Sequence, residues 1–191
     1  MAEIYAVENL SLDGVMQAPG GEQEDPRDGF PYGGWARPYM DEVAGKVMAE
    51  GMRRTGAMLF GRRTYEHMFS FWPKQTDGNP YTEVLNKTQK YVVSRTLAEP
   101  LPWRNSTLLR DIAAVAAVKA DVEGDLCVLG SGELIRSLVD AGLLDGYTLQ
   151  VSPITLGTGR RLFGDAYNRF RLVSAEPTTT GVIIASYEVI R

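Results

Sequence analysis

Short apolar, β-prone runs recur at residues 4–10, 57–60, 90–94, 106–109, 125–129, 147–152, 170–174 and 182–190, several of them closed by Gly, Pro or Asp. They predict eight strands. Between them the apolar period lengthens towards that of a helix in four places. Residues 38–54 put Met40, Val43, Val47 and Met48 on one face, and residues 62–69 form a short second pattern. Residues 111–120 start at a capping Asp111, and residues 133–141 turn Leu134, Ile135, Leu138 and Val139 inward before a stop at Gly142. Strands and helices alternate up to Gly146, after which the chain is almost all strand. The expected architecture is a three-layer α/β fold: a mixed, mainly parallel eight-stranded sheet flanked by about four helices, with an antiparallel C-terminal edge ending in strand 182–190.

The most informative stretch is 126–163. It reads as a buried strand, a Gly130-Ser131-Gly132 turn, a helix and a second strand. Glycines at a helix start let the backbone approach a diphosphate, and Ser131 can cap a helix whose dipole end attracts anions. The turn lacks the third glycine of a dinucleotide fingerprint and the Lys-Ser/Thr of a P-loop, so it also fits a purely geometric role. Two further strand ends carry related chemistry: Phe60-Gly61-Arg62-Arg63-Thr64-Tyr65-Glu66 and Lys90-Tyr91-Val92-Val93-Ser94-Arg95-Thr96. Ligands of open α/β sheets collect at the carboxyl ends of strands, and three such ends point to a phosphorylated dinucleotide.

With Ser11-Leu12-Asp13-Gly14 after the first strand and Pro153-Ile154-Thr155-Leu156-Gly157-Thr158-Gly159 before Leu162-Phe163, these motifs make nearly the whole chain resemble the dihydrofolate reductase-like fold. Within that fold it resembles the reductase domain of bacterial riboflavin biosynthesis and its stand-alone relatives. The resemblance implies an oxidoreductase binding NADPH and transferring a hydride to a small heterocyclic substrate, as 5-amino-6-(5-phosphoribosylamino)uracil reductase does. Dihydrofolate reduction, or a non-catalytic nucleotide-binding role on the same fold, are the alternatives. By the same resemblance, Leu129, Gly130, Ser131, Gly132, Glu133 and Leu134 would take the diphosphate, and Gly61, Arg62, Arg63 and Thr64 would meet the cofactor phosphates. Ser94, Arg95 and Thr96 would flank the adenosine ribose and its 2′-phosphate, while Ala6, Val7, Gly14 and Val15, together with Asp13, would border the nicotinamide. A planar guanidinium suits a 2′-phosphate through paired charge-assisted hydrogen bonds, which favours NADPH over NADH.

The substrate side departs from the dihydrofolate reductase pattern. Trp35, Pro38 and Asp41 are present, but the step from Pro38 to the acid is one residue too long. Asp13 and Asp41 are the candidate catalytic residues, although Asp41 reads more readily as a first-turn acid stabilised by the helix dipole. The stretch Ser11 to Arg37 is rich in glycine, contains Pro19, Pro26 and Pro31 and keeps no sustained period, which fits either a lid over the nicotinamide or a surface insertion. Its three aromatics, Phe30, Tyr32 and Trp35, must cover a planar heterocycle, the protein's own core or another subunit.

Composition narrows the rest. The 191 residues are 44% hydrophobic, enough for one core-bearing domain spanning 1–191. A net charge of −4 with scattered basic residues argues against a nucleic-acid partner. The start MAEIYAVENL has no signal-peptide pattern and no run is long enough to span a bilayer, so a cytoplasmic protein without a membrane partner is expected. The single His67 has no metal-spaced partner, so no metal site is expected, and Cys127 reads as a core filler. The resemblance also implies a homodimer, with 182–190 as the strand that would pair if it lay bare at a sheet edge.

Overall fold

The computed structural model describes residues 2–76, 78 and 80–191. The strands are β1 (Ile4–Ser11), β2 (Thr55–Gly61), β3 (Gln89–Val93), β4 (Ser106–Leu109), β5 (Asp125–Leu129), β6 (Gly146–Ser152), β7 (Arg169–Pro177) and β8 (Ile183–Ile190). They lie in one sheet in the order β4-β3-β2-β5-β1-β6-β8-β7. The β4/β3, β3/β2 and β2/β5 pairs are parallel, and β6/β8 and β7/β8 are antiparallel. All eight predicted strands are present. The helices are α1 (Glu42–Arg54), α2 (Arg62–Phe71), α3 (Pro80–Lys87), α4 (Ile112–Asp121) and α5 (Gly132–Asp140).

The described residues form five helices where about four were expected. The unforeseen α3 is short and buries little beyond Leu85 and Thr82, too small an apolar stripe to stand out as a period. Asp111 caps α4 as expected, accepting from the Ala114 amide at 2.8 Å. Residues 38–54 prove to be two elements, a 3-10 turn at Arg37–Tyr39 and then α1. The break falls at Asp41, whose Oδ1 accepts from the Ala44 amide and whose Oδ2 accepts from the Thr179 amide and hydroxyl.

The expectation for 182–190 needs correcting in one respect. β8 is paired on both sides, by β6 and β7, and the edge strand at that end of the sheet is β7. The apolar content of the two strands explains the order. β8 places Ile184 and Ala185 in the interior, where ladder bonds on both sides satisfy its backbone, whereas β7 is exposed along most of its length.

Two compact units divide the chain. The first comprises Met1–Ala6 and Gly51–Leu144, and the second Val7–Glu50 and Asp145–Arg191. In the first unit, Phe60, Tyr65, Phe69 and Trp103 stack and tilt against one another, and Cys127 is buried on β5, where desolvation pushes its thiol up to about 12. Lys90 is fully buried there. Its ammonium donates to the carbonyls of Thr88, Arg104 and Asn86 and sits 4.6 Å above the Trp103 ring, so the charge is solvated by protein.

In the second unit Val15, Ala18, Phe30, Trp35 and Ala36 of segment 11–37 form a core together with Leu156. The Trp35 indole donates to the Gln17 carbonyl, and Gly34 and Ala36 bond back to Ala18 and Pro19. Of the open readings of its aromatics, Phe30 and Trp35 cover the protein's own interior, while Tyr32 packs edge-on against Phe30 and stays half exposed. No helix among the described residues is long and apolar enough to cross a membrane.

Candidate functional site

In the first unit, β3, β2 and β5 are parallel neighbours, so their carboxyl ends fall on the same side of the sheet. β2 runs straight into α2 and β5 into α5. Neither helix start is capped by a side chain. Gly130 and Ser131 both take left-handed backbone angles, φ +60° and +71°. A serine in that region is strained by about 1 kcal/mol, and such strain collects where a loop serves a ligand. A Cβ on Gly130 would sit 3.4 Å from the Thr64 methyl, so the turn packs directly against the first turn of α2.

Ser131 was expected to cap α5. Its hydroxyl instead accepts from the Gly61 amide at 2.9 Å and ties the ends of β2 and β5 together. The left-handed angle turns its side chain away from the helix it precedes, which accounts for the missing cap. Arg63 reaches Glu133 at 3.4 Å, bridging the starts of α2 and α5, and Arg62 lies 3.9 Å from Glu66 one helical turn on. Gly132, Leu129 and Leu134 are buried supports, and Thr64 is half-buried. At the end of β3 the Ser94 hydroxyl accepts from the amides of Thr96 and Leu97, folding a tight turn. That turn leaves Arg95 and Thr96 exposed. Gly61, Arg62, Arg63, Thr64, Gly130, Ser131, Gly132 and Glu133 are therefore brought together, with Ser94, Arg95 and Thr96 on the adjoining strand end.

In the second unit the motifs Ser11–Gly14 and 153–159 turn out to be partners. Asp13 accepts from the Ser11 hydroxyl at 2.6 Å and from the amides of Leu156 and Gly157 at 3.1 and 2.8 Å. Leu12 donates to the Ile154 carbonyl, the Ser11 hydroxyl accepts from the Val15 amide, and Arg161 donates to the Asp13 carbonyl. Gly159, at φ +111°, has no room for a Cβ, which would fall 2.7 Å from Phe30 and 2.8 Å from Val15. The Ser11 hydroxyl and the two amides hold the Asp13 carboxyl down at about 2. Asp41 is also held at about 2, by the Ala44 amide first and the Thr179 hydroxyl next. Both remain carboxylates at neutral pH and serve as hydrogen-bond acceptors, a poor match to a proton-donating role. Ala6 and Val15 are fully buried, Val15 within the core of segment 11–37; Val7 is half-buried and Gly14, at φ +79°, turns the chain after β1.

One group escaped the reading of the sequence. Glu8, 4% exposed on β1, has a buried Oε1 with no hydrogen-bond partner. Burial first, and then the neighbouring charge of Glu24, push its carboxyl up to about 8. The signal was present in the alternation of the strand. Ile4, Ala6 and Leu10 are the buried positions of β1, and Glu8 shares their parity. Among the described residues, no group of three or more His, Cys, Asp or Glu could hold a metal.

The chain is 25% identical to uncharacterized protein YyaP of Bacillus subtilis (strain 168), over 93% of this chain and 90% of that one. Its fold is similar to that of a protein of Shewanella sp. PV-4 assigned provisionally to riboflavin biosynthesis, with a TM-score of 0.70, 21% identity and full coverage of both chains. It is also similar to dihydrofolate reductase of Enterococcus faecalis solved with NADP(H), with a TM-score of 0.60, 14% identity and coverage of 98% and 94%. The strand order and paired strand-end helices described above thus belong to the dihydrofolate reductase-like fold. Residues 3–184 match the family model described as RibD C-terminal domain, and the chain belongs to that family.

Proposed function

We propose that this protein is an NADPH-dependent reductase of a small heterocyclic substrate, resembling the riboflavin-pathway 5-amino-6-(5-phosphoribosylamino)uracil reductase. The observation that carries the reading is the pair of uncapped helix starts on adjacent parallel strands, with Arg62, Arg63 and Arg95 around them. Free amides at a helix start and flanking guanidiniums form an anion site, and a dinucleotide diphosphate is the anion such a strand end accommodates. Family membership supports a reductase over other nucleotide-binding chemistries.

In this reading Gly130 to Leu134 hold the diphosphate, and Arg62, Arg63 and Thr64 neutralise phosphate charge. Arg95 takes the 2′-phosphate beside Ser94 and Thr96. Arg95 is the best placed of the three arginines for this, because Arg62 and Arg63 already face Glu66 and Glu133. The cofactor supplies a hydride when bound; the chain supplies anchoring, orientation and a dry interior. The test is a titration with NADPH and NADH followed by nicotinamide fluorescence, then turnover of dihydrofolate and of the ribosylaminouracil phosphate. Saturable NADPH binding tighter than NADH is expected, and no binding of either would refute the reading.

We also propose a homodimer that covers the β7 edge, where Leu172 and Val173 lie exposed. Light scattering at micromolar concentration should give about twice 21.1 kDa. A monomer mass would end that proposal without touching the reductase reading.

A further inference from the structure

A cavity in the second unit is lined by none of the residues assigned above to cofactor or catalysis. It measures about 290 Å³, opens to solvent, and is lined by Gln17, Arg27, Asp28, Phe30, Thr158 and Arg160. That volume falls at the low end for small-molecule sites and suits a ligand much smaller than a dinucleotide.

Two loops form the walls, and one buried amide ties them together. Gln17, 3% exposed, donates to the Asp25 and Arg27 carbonyls at 3.0 Å each and accepts from the Arg160 amide at 3.0 Å. Phe30 packs so closely on Gly159 that a Cβ there would fall 2.7 Å from the ring. A cavity held in this way is preorganised, so a ligand has little left to order.

Its two guanidiniums are held differently. Arg27 grips Asp25 with Nε and Nη2. The Arg27 guanidinium first, and the Arg160 charge after it, hold the Asp25 carboxyl below its usual value, so both cations act on the same corner. Arg160 meets Asp28 at 2.9 Å, and the Asp28 side chain is 74% exposed. An ion pair so exposed is worth little, and another carboxylate can replace Asp28 at small cost. Asp28 also sits at φ +58°, an angle uncommon outside glycine, and uncommon backbone angles collect at ligand sites.

We propose that this cavity binds a small organic carboxylate, with Arg160 as the recognising cation and Asp28 as an internal competitor that swings aside. The planar guanidinium matches a carboxylate in shape and charge. Arg27 adds a second positive charge, Thr158 a hydroxyl donor and Phe30 an apolar wall. A bound carboxylate joins loop 25–30 to loop 158–160 where Gln17 already bridges them, and so stabilises segment 11–37. The site does not rest on the reductase reading.

Calorimetric titration of the full chain with succinate, inorganic phosphate and chloride at constant ionic strength tests this, with thermal unfolding in parallel. Wild type should give saturable succinate binding and a saturable rise in Tm, and chloride should give neither. R160Q keeps the backbone amide that bonds to Gln17, and should lose roughly tenfold or more in succinate affinity. D28N keeps a residue suited to positive φ while removing the competing charge, and should tighten succinate about two- to fivefold. A merely structural Asp28 would not produce that gain, and the gain decides the matter if R160Q does not fold. Absence of saturable succinate binding, phosphate bound more tightly than succinate, unchanged affinity in a folded R160Q, or D28N binding succinate no better than wild type would overturn the proposal.

Discussion

Two turns in this molecule are built from the same residue types and do opposite work. Ser11-Leu12-Asp13-Gly14 spends its polar groups internally, on Val15, Ile154, Leu156, Gly157 and Arg161. Gly130-Ser131-Gly132 spends one hydroxyl on the neighbouring strand and opens an uncapped helix start. Serine and glycine after a strand therefore do not distinguish a clamp from a cradle. What distinguishes them is whether a distant segment arrives to take up the donors and acceptors.

The largest effect that would sharpen the contrast is on the clamp. Asp13→Ala removes an acceptor shared by two amides and a hydroxyl, and should lower unfolding free energy by about 3 kcal/mol in urea while changing NADPH affinity little. Because the native Asp13 carboxyl lies below its unfolded value, its contribution is present above about pH 4 and disappears as pH falls towards 2, so the wild-type advantage over the mutant should shrink across that interval. A mutant as stable as wild type would dissolve the distinction between the turns.

On the cradle side, Gly132→Val puts a branched side chain at the first position of α5 and should weaken NADPH by roughly a hundredfold or more, provided circular dichroism shows the protein folded. Normal binding by a folded Gly132→Val protein would reduce the cradle to scaffolding. Arg95→Ala should weaken NADPH ten- to a hundredfold, about 1.4–2.7 kcal/mol, and leave NADH nearly untouched. Equal losses for both cofactors would remove the 2′-phosphate assignment. The smallest effect belongs to Ser131→Ala, which deletes a single bond to Gly61 and should cost about 1 kcal/mol of stability by chemical denaturation.

Strands were legible because burial imposes a short period on each run, and Asp111 because capping is local chemistry. The grouping of Gly61, Arg62, Arg63, Gly130, Ser131 and Gly132 at neighbouring strand ends was legible for the same reason: these residues follow directly on recognisable strands. The Asp13 clamp was not, since its partners lie 143 and 144 residues along the chain and no local pattern announces them. Segment 11–37 looked like a loop because its core is assembled from single residues, Val15, Phe30 and Trp35, at no regular spacing. Glu8 sat inside a run correctly read as strand, and only attention to its parity would have shown a carboxyl among buried positions.

The lone cysteine gives the central strands a built-in clock. Cys127 sits in β5, paired with β2, and its thiol ionises only near pH 12 while the fold is intact. A disulfide-exchange reagent at neutral pH will therefore modify it only in molecules whose β2–β5 ladder has opened, at the rate set by that opening. Following one colour change per chain, with and without NADPH, would time how often the strands beneath the proposed phosphate site part and whether NADPH slows their parting.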